Sequence, residues 1–294
     1  MTQMIAQIML PLVLGLVMLG MGLSLQLKDF KAVLLQPKVA MVGFLLQLLL
    51  LPIVALLIIK LFGLTEMAAA GLFLLALCPG GATSNLFSFI ARGNLALSVC
   101  LTSVVSMLSP FILPAAFISF IHFTGNADSE AFNLPLLPAM KKLMMVTLLP
   151  TIIGMSLRYF ANEWAQSVQP FIKKSASIAM VLVVAALMCT NLTLMPAIFS
   201  VQGIAVISLC GSSLVIAYFI AGKLGINEQN RKTIALEVGV QNAGTAMMIA
   251  LSIMHQPALA MIPLMYGILM NIPAFIFVYW LLNKASTFTL LESH

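Results

Sequence analysis

Charged residues are scarce in this sequence, and their scarcity excludes a water-soluble domain. Of the 294 residues only 7% are charged and 62% are hydrophobic, and the mean hydropathy is +1.13, whereas soluble domains carry about 25% charged residues. Apolar runs of about 20 residues, the length that crosses a bilayer, recur along the whole chain. These properties predict an all-α polytopic membrane protein without a separate soluble domain.

Residues that build metal centres and catalytic dyads are also few. The four cysteines lie in apolar runs and form no CxxC pair, which favours small core residues over disulfides or zinc ligands. His122 and His255 lie at span ends, and His294 is the last residue. No serine–histidine pair or acidic metal cluster can be assembled, so an enzyme is not expected. No basic stripe interleaved with aromatics indicates nucleic acid, and no obligate protein partner is predicted.

Charged residues and Pro, Gly and Asn divide the apolar sequence into nine predicted spans. The first run has no basic n-region and no small-residue cleavage site, so we interpret it as a retained span rather than a secretory signal. The predicted spans cover approximately residues 4–25, 38–62, 67–91, 94–121, 135–157, 175–195, 201–222, 230–253 and 257–283.

The basic residues are distributed unevenly between the two sets of predicted loops. With an external N-terminus, the external side keeps three basic residues beside acidic loop residues, namely Lys60, Lys141, Lys142, Glu66, Asp128 and Glu130. The cytoplasmic set contains 11 of the 14 basic residues: Lys28, Lys31, Lys38, Arg92, Arg158, Lys173, Lys174, Lys223, Arg231, Lys232 and Lys284. This bias predicts a plasma (inner) membrane protein with its N-terminus outside and its C-terminus in the cytoplasm.

Glu237 is the acidic residue that falls inside a predicted span. A charge at bilayer depth costs about 2.5–3.5 kcal/mol on insertion scales, so it normally faces a partner or a watery cavity. The segment 237–244, EVGVQNAG, adds two glycines, a glutamine and an asparagine, and an unwound helix there frees carbonyl oxygens. Such oxygens suit a hard cation. The alternative is a carboxylate solvated in a vestibule near the cytoplasmic helix end, because Arg231 and Lys232 lie close before it.

A second break is predicted at residues 77–85, LCPGGATSN. Pro79 removes a helix hydrogen bond and two glycines loosen the backbone, so Thr83, Ser84 and Asn85 are expected to cap a restarted half-helix. The alternative is a proline kink with small residues for close helix packing. Paired interruptions in corresponding halves indicate a secondary transporter with internal repeats, which binds an anion near half-helix N-termini and a coupling cation on carbonyls and carboxylates.

Three more polar side chains lie in predicted spans. Ser98 and Thr102 are four residues apart and share a helix face, so both hydroxyls can point at the first break. Hydrogen bonds back to their own helix are the alternative. Gln47 is a lone amide in the apolar second span, where an interhelical contact is as reasonable as ion binding.

The motifs CPGGATSN (78–85), ARGNLALS (91–98) and LEVGVQNAG (236–244), with GMGLSLQLKDF (20–30), resemble the bile acid:sodium symporter family. The resemblance implies two discontinuous helices that cross at mid-membrane, inverted repeats, and a core domain beside a panel domain. The core would comprise residues 38–121 and 201–283, and the panel residues 4–25 and 135–195. Bacterial members often carry an additional N-terminal helix, so the first repeat is expected to be one helix shorter here.

The resemblance also implies two sodium sites that share one carboxylate. The first would be formed by Ser84, Asn85, Ser98, Thr102 and Glu237. The second would be formed by Gln47, Glu237, Gln241 and the carbonyls of Val238 and Val240. The anion is expected at the half-helix ends, beside Ala82, Thr83 and Asn242. Some relatives have Thr followed by Ala after the double glycine, whereas Ala82 precedes Thr83 here.

The expected function is sodium-coupled symport of a small organic anion by alternating access. The anion would be bile acid-like, pantoate-like or an oxo acid, and two sodium ions would be the coupling ions. A proton-coupled carrier that uses Glu237 is the alternative within the same class. A channel or receptor is the alternative from a different class.

Overall fold

The computed structural model describes residues 4–26, 28–29, 31, 36–125, 132–190, 196 and 198–291. The predicted acidic loop residues Asp128 and Glu130, and the predicted end of the sixth span at 191–195, lie outside the described residues. The helices are α1 (Ile5–Gly22), α2 (Pro37–Phe62), α3 (Glu66–Ala76), α4 (Ala82–Ile90), α5 (Leu95–Phe123), α6 (Leu136–Phe160), α7 (Asn162–Thr190), α8 (Val201–Lys223), α9 (Glu228–Gly239), α10 (Ala243–Ile253), α11 (Pro257–Leu269) and α12 (Asn271–Leu291).

The prediction of an all-helical membrane protein is confirmed. Within the described ranges, seven helical segments are long and apolar enough to cross a membrane: α1, α2, α5, α6, α7, α8 and the α11–α12 segment Pro257–Lys284. The two other predicted spans are interrupted where the sequence places glycines, since α3 and α4 replace the third span and α9 and α10 replace the eighth.

The predicted start of the sixth span at residue 175 is wrong, because α7 begins at Asn162. Lys173 and Lys174 therefore lie within a helix and not in a loop. Hydropathy marks the apolar part of a helix, whereas the helix itself continues through polar residues. Long basic side chains can lie along the apolar surface and still carry their charge to water.

The two interrupted segments meet at their breaks. Gly80 and Gln241 form an antiparallel bridge. The Gly81 N–H donates to the Val240 carbonyl at 3.2 Å, and the Asn242 N–H donates to the Pro79 carbonyl at 2.9 Å. These hydrogen bonds satisfy backbone groups that the missing helical turns leave free, which is necessary where no water is available.

Two groups of helices make extensive contacts, and α5 packs against α6 of the first group and α9 of the second. In the first group α1 packs against α6 and α7. Gly22 and Gly154 allow the closest approach, because a Cβ atom on Gly154 would lie 2.8 Å from the Leu23 nitrogen. Small residues permit such contact between membrane helices. In the second group, α8 packs against α9 and α2, α11 packs against α3, and α10 packs against α11. The broken helices are thereby enclosed, and the residues of α9 and α10 around the break are buried.

Candidate cation site and half-helix ends

The Glu237 carboxylate is the centre of a cluster of hydroxyl groups. Its side chain is 1% exposed. Oε2 accepts hydrogen bonds from the Ser84 hydroxyl at 2.8 Å and the Ser98 hydroxyl at 3.1 Å, and Oε1 accepts one from the Thr102 hydroxyl. These residues come from α4, α5 and α9, so the cluster joins both breaks to the long helix α5.

Gly80 makes room for this carboxylate. A Cβ atom at position 80 would collide with Glu237 Oε1 and would lie 2.7 Å from its Cδ. Glycine is therefore required at position 80 because the Glu237 carboxylate occupies the space of a side chain, in addition to any conformational freedom that glycine gives the backbone. A side chain at this position displaces either the carboxylate or the backbone that pairs with Gln241.

No cationic side chain among the described residues pairs with Glu237. In the part of the chain that the structure describes, the one ion pair joins Arg231 and Glu228 at 3.0 Å. Removing a carboxylate from water costs several kcal/mol unless an opposite charge or a proton compensates it. Three hydroxyl donors offset part of this cost, but they supply no charge. The cluster is thus electrostatically suited to a bound cation.

A second group of oxygen atoms lies beside the first. The Gln47 Nε2 donates to the Cys78 carbonyl at 3.2 Å and to Gln241 Oε1 at 3.0 Å. The Gln241 Nε2 donates to the Val238 carbonyl at 2.6 Å and to the Glu237 carbonyl at 3.3 Å. Gln47 lies in a π-helical turn at Leu46–Leu50, a distortion that is frequent at functional sites. All five predicted residues of the second site therefore lie at or beside the second break.

Two amide oxygens in these groups have no donor. Gln47 Oε1 and Asn85 Oδ1 are buried and lack a hydrogen-bond partner among the described residues. A buried acceptor without a donor is costly, and amide, carboxylate, hydroxyl and carbonyl oxygens are the ligands that hard cations prefer. The residues present therefore fit sodium chemically at both predicted positions.

The expected capping of α4 by side chains is wrong. Its N-cap is Gly81, which makes no side-chain hydrogen bond. Thr83, Ser84 and Asn85 lie in the first turn. The Ser84 Oγ also lies 2.6 Å from the Gly81 carbonyl oxygen, which competes with Glu237 for the single hydroxyl proton. The close pairing of Gly81 with Val240 fixes where the helix restarts. The first N–H groups of α4 are therefore left without a side-chain cap.

The predicted anion-contacting residues lie at the starts of the two restarted helices. Ala82 is exposed and Thr83 is partly exposed at the start of α4. Asn242 is 8% exposed and caps α10, where its side-chain oxygen accepts from the Thr245 N–H at 3.2 Å. Since each helix start carries partial positive charge, the two ends favour an anion between or beside them.

Sequence reasoning missed two residues at the second break. The buried Tyr266 hydroxyl donates to the Gly239 carbonyl at 2.7 Å and so satisfies the last residue of α9. The Thr245 hydroxyl is buried without a partner in the described structure. A tyrosine inside an apolar span is a weak signal for Tyr266, because its hydroxyl must find a partner there.

Comparison with known proteins identifies the family to which this arrangement belongs. The model of the Sodium Bile acid symporter family matches residues 11–198. The chain belongs to the sodium bile acid symporter family. The match contains every cation-site candidate of the first half, whereas the second break lies beyond it.

Individual relatives extend the similarity. The chain is 33% identical over 238 residues to a probable sodium/metabolite cotransporter BASS1 of rice chloroplasts, covering 79% of this chain and 56% of that protein. It is 30% identical over 254 residues to an uncharacterized sodium-dependent transporter, YocS, of Bacillus subtilis, covering 85% and 75%. It is 28% identical over 273 residues to sodium/bile acid cotransporter 4 of rat, covering 90% and 61%. The chain thus spans little more than half the length of its plant relatives.

Proposed function

We propose that this protein is a secondary active transporter that couples sodium entry to the uptake of a small organic anion. The observation that carries the proposal is the Glu237 carboxylate, which is buried beside two helix breaks, surrounded by oxygen ligands and unpaired with any described cation. The names of the rice, Bacillus and rat relatives, which describe sodium-dependent transporters or cotransporters, support the same conclusion.

Two sodium ions are proposed to bind around the crossing. The first would be held by the hydroxyl cluster of Glu237 with the orphaned Asn85 oxygen. The second would be held by Gln47, Glu237, Gln241 and the carbonyls of residues 238 and 240. Because both ions would share Glu237 and lie against the paired breaks, their binding would stabilise the crossing.

The organic anion is proposed to bind at the starts of α4 and α10, near Thr83 and Asn242. Two helix N-termini supply N–H groups and partial positive charge, which favour a carboxylate or another oxyanion. A bile acid-like, pantoate-like or oxo acid substrate satisfies this requirement. Ala82 offers no hydroxyl beside the double glycine, so Thr83 is the side-chain donor proposed on the first break.

Transport would occur by movement of a core against a panel. We propose nine membrane spans in inverted repeats, with the panel formed by α1, α6 and α7 and the core by the remaining helices, because these two groups pack mainly within themselves. The protein would lie in the plasma membrane with its N-terminus outside. Exposed apolar side chains agree with a membrane location, since many large apolar residues are exposed, among them Leu57 and Phe219.

Hydrogen bonds join the two groups of helices at one end, and we call these contacts the latch. The Lys142 ammonium donates to the Ser252 carbonyl at 2.5 Å, and the Ser252 hydroxyl donates to the Ala6 carbonyl. Gln7 and His255 are joined by a hydrogen bond of 3.1 Å. At the opposite ends of α1 and α6 lies a cavity of about 550 Å³, which is lined by residues at these helix ends and by Met107 of α5. With the N-terminus outside, this arrangement is an inward-open state closed on the external side.

Sodium-22 uptake into proteoliposomes tests the proposal. We expect uptake to rise when an external organic anion such as pantoate, taurocholate or a branched oxo acid is added, and to be lost in Glu237→Ala and Gln241→Ala. Two sodium ions with a monoanion move one net charge, worth about 2.3 kcal/mol per 100 mV, so an inside-negative potential should accelerate uptake. Absence of any anion-stimulated uptake contradicts the proposal.

Proton coupling is the second candidate, and the same unpaired carboxylate favours it, because a proton also neutralises Glu237. The two candidates differ in their driving ion. Anion uptake that is driven by a pH gradient in sodium-free medium would support the proton carrier. Counterflow of labelled anion against unlabelled anion separates either carrier from a channel, which shows none.

A further inference from the structure

The cavity at the end of α1 and α6 has a basic mouth and an apolar interior. Its wall includes Lys28, just beyond α1, and Arg158, two residues before the end of α6. Leu25, Met107 and Ile152 line its apolar part. Among the described residues, no acidic side chain belongs to the lining. Asp29 is close in sequence, but its carboxylate accepts a hydrogen bond from the Gln26 N–H at 2.8 Å and lies outside the lining.

Arg158 has hydrogen-bond donors that no described residue uses. Its Nε and Nη1 atoms are buried, and neither has a partner in the described part of the chain. A buried guanidinium normally pairs with a carboxylate or a phosphate, often through two parallel hydrogen bonds, and leaving its donors free is costly. Arg158 thus belongs to the cavity wall, and two of its donors are buried without a partner among the described residues. This combination is typical of a binding site in which the ligand supplies the hydrogen-bond acceptor.

The cavity reaches from this mouth to the depth of the cation cluster. Asn94, before α5, and Gln36, before α2, both hydrogen bond to Asn230, so the start of α5 lies at the same side as the mouth. Met107 is twelve residues after Leu95, about 18 Å along the helix axis. That distance passes the level of Thr102 on the same helix.

We propose that Arg158, assisted by Lys28, binds the anionic group of the transported molecule at the mouth of this cavity. The proposal rests on the proposed transport function and adds a second anion site to the one at the half-helix ends. The ligand is an organic carboxylate whose apolar body lies against Leu25 and Ile152 while its charge meets the guanidinium. The volume of about 550 Å³ falls within the range of small-molecule sites, roughly 300–1,000 Å³. Arg158 then draws the anion from the depth of the cavity towards the aqueous phase.

Binding of a charged and an uncharged form of one molecule tests the site. The probes are 4-methyl-2-oxopentanoate and its methyl ester, titrated into purified protein with thermal stabilisation as the readout. We expect the acid to stabilise the wild type and the ester to have no effect. Arg158→Gln should weaken acid binding at least about tenfold, because a hydrogen-bonded charge pair is lost. Arg158→Lys should keep part of the affinity, since it retains the charge without the planar pair of donors.

Controls separate a ligand site from a structural role. Lys174→Gln removes an exposed basic residue that does not line the cavity, and it should leave acid binding unchanged. Arg158→Gln should keep the wild-type stabilisation by sodium and should be no less stable without ligand, because its donors have no partner to lose. Equal acid affinity in Arg158→Gln and wild type overturns the proposal. So does a variant that loses its sodium response together with acid binding, or a wild type that does not bind the acid.

Two further comparisons define what the site binds. If the wild type shows no sodium response but binds the acid in a way that depends on Arg158, sodium coupling is contradicted and this anion site is supported. A lipid phosphate offers the same chemistry as a carboxylate. Titration of phosphatidylglycerol into the micelles distinguishes the two sources: stabilisation by that lipid alone, dependent on Arg158, overturns the assignment to a transported anion.

Discussion

Replacing Glu237 by glutamine keeps the length of the side chain and removes its charge. The carboxylate accepts three hydroxyl hydrogen bonds but has no cationic partner among the described residues. Glutamine can still accept through its oxygen, and its amide can donate to hydroxyl oxygens. Without sodium, the variant is therefore expected to be at least as stable as the wild type, because an uncompensated buried charge has been removed.

In sodium, the wild type should become more stable than the glutamine variant. A ligand at ten times its Kd stabilises the folded state by about 1.4 kcal/mol per site, so two sites contribute about 2.8 kcal/mol. For chains of this size class, one kcal/mol shifts Tm by about 2–4 °C, which gives a wild-type shift of about 6–11 °C. Both proposed sites use Glu237, so the glutamine variant should lose most of this shift. The two stability curves are expected to cross as choline is replaced by sodium.

The cysteines of the chain provide the assay. Cys78, Cys100 and Cys210 are buried, whereas Cys189 is exposed. In a Cys189→Ser background, a thiol-reactive fluorophore therefore reports unfolding with little initial signal. Apparent Tm is measured in detergent at constant ionic strength, with choline exchanged stepwise for sodium. Glu163→Gln is the matched control, because Glu163 is exposed in the first turn of α7 and its replacement should leave the sodium shift intact.

Two results refute the reasoning about Glu237. A sodium shift in the glutamine variant equal to that of the wild type shows that the carboxylate binds no sodium. A variant that is much less stable than the wild type in choline shows that the ionised carboxylate already has a compensating partner. A wild-type Tm that responds to pH and not to sodium instead supports the proton-coupled carrier.

The remaining predictions concern the helix break and the latch. Gly80→Ala should reduce sodium affinity at least about tenfold, because overpacking that displaces the carboxylate costs about 1–3 kcal/mol. Gly211→Ala is its control, since a Cβ atom there meets nothing closer than 3.7 Å; equal effects would contradict the account. Lys142→Met should open the latched end and reduce thiol labelling of a cysteine placed at Ser156 in the cavity, because a charged hydrogen bond worth about 1.5–3 kcal/mol is lost. Lys141→Met, at the exposed neighbouring residue, is the control and should leave labelling unchanged. Unchanged labelling in Lys142→Met would contradict a role of the latch in transport.

The sequence was sufficient to predict the features that depend on local chemistry. Pro79 with two glycines, and the glycines around Gln241, predict interrupted helices because each weakens helical hydrogen bonding nearby. Both interruptions are present. The spacing of Ser98 and Thr102 predicted a shared face, and both hydroxyls reach the same carboxylate. The grouping of distant residues into two sites came from the family resemblance, and the sodium sites themselves stay a prediction.

Features that depend on packing between distant segments could not be predicted in this way. The latch joins Lys142 to Ser252, which are 110 residues apart, and neither belongs to a motif. Arg158 looked like one of eleven basic residues that fix topology, and its free donors became visible only with the neighbouring helices in place. Ser84 was expected to cap α4, but the pairing of the two breaks placed it inside the first turn.

The pairing of the two breaks provides a physical route from cation binding to anion binding. The Gly81 N–H donates to the Val240 carbonyl and the Asn242 N–H donates to the Pro79 carbonyl. Val240 is itself a proposed cation ligand, and Gly81 and Asn242 are the N-caps of α4 and α10, so this pairing joins the cation ligands to both helix starts. A cation that draws in the Glu237 carboxylate therefore acts on the backbone that positions both helix starts. Coupling between two ligands is reciprocal in free energy. The anion must then raise sodium affinity by the same factor by which sodium raises anion affinity, and breaking the paired backbone must reduce both factors together.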